Sequence, residues 1–392
     1  MSSKQRANLT LLALAISAFA IGSTEFISVG LMPLMIKDFG ITMSQAGLTV
    51  SMYALGITIG APILAILTSR WPRKNLLLGI MVVFIIGNLT VAFAPVFAVV
   101  LVGRIISSLA HGIFMSIASV VAADVVEPER RASAIAVMFT GLTMATVTGV
   151  PLGTFIGQVS TWHMSFIFIA AIGVLGLVAN WFLVPNDLLL GQPSQFSGII
   201  RVLKNKAIVV ALLIIALGYG GTFTVYTFVT PILESKMGWS PRAVVIILII
   251  YGLMVAFGNT LGGKWSNHQP LMALLKMFVG LLATLLLFML TLNAHWFGLI
   301  NVLLMGFFAF MNVPGLQLYI VQLAEKITPN DIPLASALNI SAFNIGITIG
   351  SLVGGQASAA WGLGSTPIFG GIMVFVSILL TWYLIQQSKQ AK

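Results

Sequence analysis

Residues 8–34 read NLTLLALAISAFAIGSTEFISVGLMPL, one long apolar run that carries a single acid, Glu25, about two thirds of the way along it. A helix of about 20 apolar residues crosses a bilayer, so this run is long enough to span one. A carboxylate held in hydrocarbon costs several kcal/mol, and an intramembrane acid therefore marks a functional site by default. The rest of the chain is read outward from that placement.

Of 392 residues, 59% are hydrophobic and 7% charged, against roughly 25% charged in soluble domains. Apolar runs recur near 8–34, 44–67, 75–95, 97–123, 132–158 and 164–184, and again near 207–232, 241–263, 271–292, 296–321, 334–358 and 365–386. They predict an all-α membrane protein of about twelve transmembrane helices. A polar stretch, Pro185 to Lys206, divides them six and six. The expected domains are a bundle of residues 1–184, a cytoplasmic linker of 185–206 and a bundle of 207–392.

The net charge of +10 does not point to nucleic acid, because the 19 Lys and Arg are spread among short loops rather than gathered on one face. With the N-terminus inside, only Lys37, Lys236 and Arg242 fall outside, and Arg104 is the one cation left within a span. That asymmetry predicts both termini in the cytoplasm, and the eight tryptophans, all at or near predicted helix ends, fit an interfacial belt. Lys4 and Arg6 ahead of the first run, with Ala18-Phe19-Ala20 within it, resemble a secretory signal. The run continues to Met35, and cleavage would leave an odd helix count, so the segment is expected to stay as the first span. Cysteine is absent, which removes disulfides, thiol chemistry and cysteine-ligated metal.

The two halves echo each other. Gly60 to Pro72 matches Gly258 to Pro270 in spacing, and the ladder Gly149, Gly153, Gly157 returns as Gly346, Gly350, Gly354. Two parallel six-helix pseudo-repeats with a substrate site between them is the plan of many transporters.

Of the nine acids, all but Glu25 fall in loops or at helix ends. By helical rise, Glu25 lies roughly 24 Å above the inner end of span one, and Arg104 roughly 27–30 Å above that of span four. Opposite charges at matched depth are expected to pair or to share a cavity, so a proton could be gained and lost at Glu25 as Arg104 and desolvation compete for it. His111, two turns beyond Arg104 on the same face, is a candidate relay. Arg70, Arg73 and Lys74 form a basic loop after span two, and Arg70 or Arg73 could latch to Asp124 at the end of span four. Gly149, Pro151, Gly153 and Gly157 in span five allow close helix approach and bending. The second half offers no deep charge but an aromatic and amide set that also holds Thr222, Tyr319 and Asn339, and the candidates for a substrate cavity are Tyr53 of the first half with Tyr219, Tyr226, Tyr251, Asn312, Gln317 and Asn344. Such a lining suits neutral or weakly cationic compounds.

The combination resembles the major facilitator superfamily over essentially the whole chain. Ser23-Thr24-Glu25-Phe26, Gly30-Leu31-Met32-Pro33, the Arg70–Lys74 loop, Ala110-His111-Gly112, Glu129-Arg130-Arg131 and Gly149-Val150-Pro151-Leu152-Gly153 look like its twelve-helix drug:proton antiporter branch. Within that branch they look closest to bacterial arabinose-efflux, purine-efflux and chloramphenicol-resistance-like exporters. The resemblance implies that Arg70, Arg73 and Lys74 stand in the signature loop and that Arg104 with Gly112 matches the helix-four coupling motif. It further implies that Gly149 to Gly157 is the antiporter motif and that Glu25 is the helix-one acid of proton and substrate binding. Three positions depart from the pattern: Ser69 stands for the loop acid and Pro72 for its glycine, and Val150 separates Gly149 from Pro151.

The expected function is therefore proton-coupled export of a small organic compound, a drug, sugar or purine-type metabolite, by alternating access. The expected partners are the substrate, protons and the lipid of a bacterial inner or plasma membrane, with no nucleic acid, no cofactor, the proton gradient as energy source, and a monomer as the working unit. Uptake by a symporter or facilitator, or a membrane sensor that does not transport, are the alternatives. No metal cluster, nucleophile constellation or second deep carboxylate supports an enzyme.

Overall fold

The computed structural model describes residues 3–68, 70–127, 131–188, 196–266 and 269–390. With no water to satisfy peptide groups in hydrocarbon, a lipid-embedded chain must bond its backbone within each segment, and the described segments are helical. In the first half they are α1 (Ser3–Phe39), α2 (Met43–Leu67), α3 (Arg73–Ala92), α4 (Phe97–Asp124), α5 (Arg131–Met144), α6 (Val150–Val159) and α7 (Trp162–Leu183). Next come α8 (Phe196–Leu203), α9 (Lys206–Tyr226), the three-residue turn α10 (Val229–Pro231), α11 (Pro241–Ser266) and α12 (Pro270–Thr291). The chain closes with α13 (His295–Met311), α14 (Val313–Ile327), α15 (Ile332–Trp361) and α16 (Thr366–Gln390). Twelve segments of the described residues are long and apolar enough to cross a membrane.

Boundaries follow local chemistry. Thr42 and Gln45 cap α2 reciprocally, the Gln45 Oε1 accepting from the Thr42 amide and the Thr42 hydroxyl from the Gln45 amide. Asn205 Oδ1 accepts from the amides of Ala207 and Ile208 at the start of α9. The fifth span is interrupted: a π turn, Ala145–Gly149, separates α5 from α6 just before Pro151, which has no amide proton for the helical ladder. The tenth is broken at Asn312, two residues before Pro314. The polar linker expected from sequence contains the helix α8, which its short, mixed composition did not reveal. Trp71, Trp181, Trp265, Trp296, Trp361 and Trp382 are exposed, but Trp162 is buried. Its Nε1 donates to Asp38 Oδ2 at 2.8 Å, so one expected belt residue is a packing residue instead.

The chain divides into two compact units, Met1–Phe39 with Met52–Ser194, and Gly40–Ser51 with Gln195–Lys392. The first turns of α2 thus group with the second unit, where Ser51 and Ser351 share a hydrogen bond of 2.9 Å. Each half packs by the same rule. The first helix, α1 or α9, lies against the fifth and sixth spans, and the third, α3 or α12, lies against the fourth and sixth. The two glycine ladders occupy the matching seam: Gly149, Gly153 and Gly157 face Ser23, Ile27 and Leu31 of α1, while Gly346, Gly350 and Gly354 face Ala216, Gly220 and Thr224 of α9. The sequence echo is a structural repeat because the small residues recur where the same pair of helices must touch.

Candidate functional site

Arg104 is fully buried in α4. Its guanidinium donates to the main-chain oxygens of Thr24, at 2.5 Å, and Glu25, at 2.9 Å. It also lies 4.0 Å from the centre of the Tyr53 ring, a favourable cation–π placement. The cation is thus anchored to the α1 backbone at the acid and acts on the Glu25 carboxylate through space. The matched depth read from helical rise corresponds to a real neighbourhood, in which Arg104 bonds the carbonyl oxygens of Thr24 and Glu25.

Tyr53 links the remaining candidate. Its hydroxyl and His111 Nδ1 are 3.1 Å apart, and the two rings meet edge-on at 5.8 Å. Arg104 and His111, two turns apart on one face of α4, therefore hold the two ends of one tyrosine. Tyr53, one of the expected substrate-cavity residues, lies in the first unit beside Arg104 and His111.

Asn88 was missed by sequence reasoning. It is fully buried on α3, accepts from Thr24 Oγ1 at 2.6 Å, and donates to Phe84 O. It fixes the turn of α1 that presents Glu25. The only signal was an amide in an apolar span, and Asn180, which donates to Ser17 Oγ in a purely structural α1–α7 contact, gives the same signal.

At the end of α2, Arg70 is exposed, Arg73 and Lys74 are partly buried, and Asp124 at the end of α4 is exposed. Asp124 lies close enough to Arg73 to act on its charge, although among the described residues no ion pair within hydrogen-bonding reach joins them. Ser69, Glu129, Arg130 and His268 lie outside the described residues.

In the second unit, Tyr219, Tyr226 and Tyr251 belong to one aromatic cluster. Tyr219 contacts Phe223, Phe310 and Phe343, Phe223 contacts Tyr226, and Tyr226 stacks on Tyr251 at 5.0 Å and 13°. The amides stand apart from it in their bonding: Gln317 of α14 donates to Ser336 and accepts from Asn339 on α15. Asn312 and Asn344 donate to carbonyls of their own helices, Phe308 and Ile340.

Two similar helical halves, twelve spans and buried polar groups deep in the spans define a membrane transporter. The chain belongs to the major facilitator superfamily, whose family model matches residues 14–328. It is 49% identical over 99% of both chains to the uncharacterised major-facilitator-type transporter YtbD of Bacillus subtilis. It is 37% identical to the inner membrane transport protein YdhP of Escherichia coli, over 96% of this chain and 95% of that one. A probable sugar efflux transporter of Helicobacter acinonychis is 27% identical over 97% and 96%. The protein is a multi-pass membrane transporter and not an enzyme.

Proposed function

We propose that this transporter exports a small organic compound in exchange for protons by alternating access, with Glu25 as the proton-carrying group. The observation that carries the reading is the anchoring of the Arg104 guanidinium on the main chain of Thr24 and Glu25. An acid in a low-dielectric span is pushed toward its neutral form by desolvation and toward its charged form by a nearby cation. Small shifts of α4 against α1 change the balance, so that a proton can be taken at one stage of the cycle and given up at another. Tyr53 and His111 set the position of that cation and offer a polar path along α4. Arg73 and Asp124 are assigned to an inner latch, and the π turn with Pro151 to the bending of span five. The export direction is supported by the antiporter-like stretch Gly149 to Gly157 and by likeness to an efflux transporter.

An inward gradient supplies about 2.3 kcal/mol per charge per 100 mV from potential alone, enough for modest accumulation. Orientation with both termini inside follows from the loop charges. In everted vesicles, substrate added to a pre-energised membrane should release protons. The variant Glu25→Gln should remain folded and lose that release, with at least a tenfold fall in coupled flux; full coupling in the variant would remove Glu25 from the role.

A further inference from the structure

The short helix α8 presents three different sides. Gly198 and Val202 are buried, and a Cβ at Gly198 would strike Leu334 of α15 and the Asp331 carboxylate just before it. That side seats α8 against the start of α15, where Arg201 also bonds both oxygens of Asp331. On a second side Ile200 and Leu203 are 56% and 43% exposed, with Ile199 partly exposed beside them. The third side is polar, carrying Ser197, Arg201 and Lys204, all exposed. Helical periodicity keeps these three strips apart.

The helix lies level with a membrane surface. Leu334, against which it packs, opens the span Leu334–Trp361, and directly after α8 the cap Asn205 leads into the span Lys206–Tyr226. Lys206 lies 5.8 Å from the ring centre of Tyr383, and both Tyr383 and its neighbour Trp382 on α16 are exposed. Exposed tyrosine and tryptophan near a span end mark the headgroup layer. A helix at that depth with one side on protein, one apolar and one polar has protein, acyl chains and water to match them.

Charge selects among the lipids. The Asp331 carboxylate is neutralised by Arg201, and Glu325, exposed at the end of α14, is matched by the adjacent, exposed Lys326. Lys204 and Lys206 are exposed, and among the described residues neither forms an ion pair. Lysines flanking an apolar strip lay their stems along it and hold the ammonium at the headgroups.

We propose that α8 is a lipid-reading element: Ile200 and Leu203 enter the acyl layer, and Lys204 and Lys206 bind the phosphate of an anionic phospholipid. The assignment depends neither on the transported substrate nor on proton coupling.

The chain has no cysteine, so single nitroxide labels can be set at Ile200→Cys, Leu203→Cys and Ser197→Cys in the full chain, reconstituted in bilayers of phosphatidylcholine and phosphatidylglycerol. The labels at Ile200 and Leu203 should be relaxed mainly by oxygen, which partitions into lipid, and the label at Ser197 mainly by a water-soluble nickel chelate. Relaxation mainly by the chelate at all three positions overturns the proposal. Native mass spectrometry of the purified chain with equimolar phosphatidylglycerol and phosphatidylcholine reads the headgroup choice. Phosphatidylglycerol should be retained in preference, and that preference should fall about fivefold for each of Lys204→Gln and Lys206→Gln and survive in Lys204→Arg. Equal retention of the two lipids, or an unchanged preference in the double glutamine variant, overturns the headgroup site. Dimers of the chain that disappear in Ile200→Ser would put a second copy on the apolar strip and overturn the lipid assignment.

Discussion

Arg104 remains charged in a helix interior because its donors meet two carbonyls and its face meets a tyrosine, so little of the ion is left unsolvated. A lysine has one compact ammonium and cannot bridge both oxygens while lying flat on the ring. Arg104→Lys should therefore leave a buried acceptor unpaired at a cost of about 1–3 kcal/mol, seen as earlier thermal unfolding of the purified protein, together with loss of substrate-driven proton release. Unchanged melting would show that the carbonyl bonds contribute nothing. At this scale Glu25, Arg104 and His111 could be singled out from sequence, since a charge or imidazole in an apolar run is costly enough to stand out. Tyr53 and Asn88 could not be placed, because tyrosine and asparagine occur in apolar helices for many reasons. Their importance comes from which side chains of α4 and α1 they meet.

Among the elements, the seam of α15 with α9 is a direct test of close packing. A Cβ at Gly350 would fall on the carbonyl oxygen of Gly220, a backbone atom that cannot rotate away, whereas one at Gly263 would meet Pro314 side-chain atoms at 3.6 Å or more. Gly350→Ala should cost about 1–3 kcal/mol through overpacking, and Gly263→Ala should be near neutral, in parallel melts of the two variants. Equal effects would contradict the close approach. The ladder spacing was readable in the sequence, as were the prolines. Which helix each ladder touches, the π turn before Pro151 and the break at Asn312 were not, because a proline announces a missing hydrogen bond without saying how the neighbouring turns absorb it.

On the scale of the whole molecule, the segment that follows the first six spans is clamped to the second unit. Arg201 of α8 donates through Nε and a terminal nitrogen to both oxygens of Asp331, at 2.9 and 2.8 Å. Those bonds hold the Asp331 carboxyl below its ordinary value of 3.8. A depressed acid stabilises the folded arrangement above its unfolded pKa and loses that contribution as pH falls through the lowered folded value. The clamp should be complete at neutral pH and open only below about pH 4. Hydrogen exchange over Phe196–Leu203, corrected for intrinsic rate, should show protection at pH 7 that Asp331→Asn removes; equal protection in the variant would mean that apolar contacts alone dock α8. What the sequence by itself determined was the membrane, the twelve spans, the repeat and the costly acid, because hydropathy, length and charge cost are local properties that add along a chain. The tertiary structure decided that Arg104 grips the α1 backbone and that Tyr53 joins it to His111. Those relations depend on contacts between helices far apart in sequence, which no local property of either helix encodes.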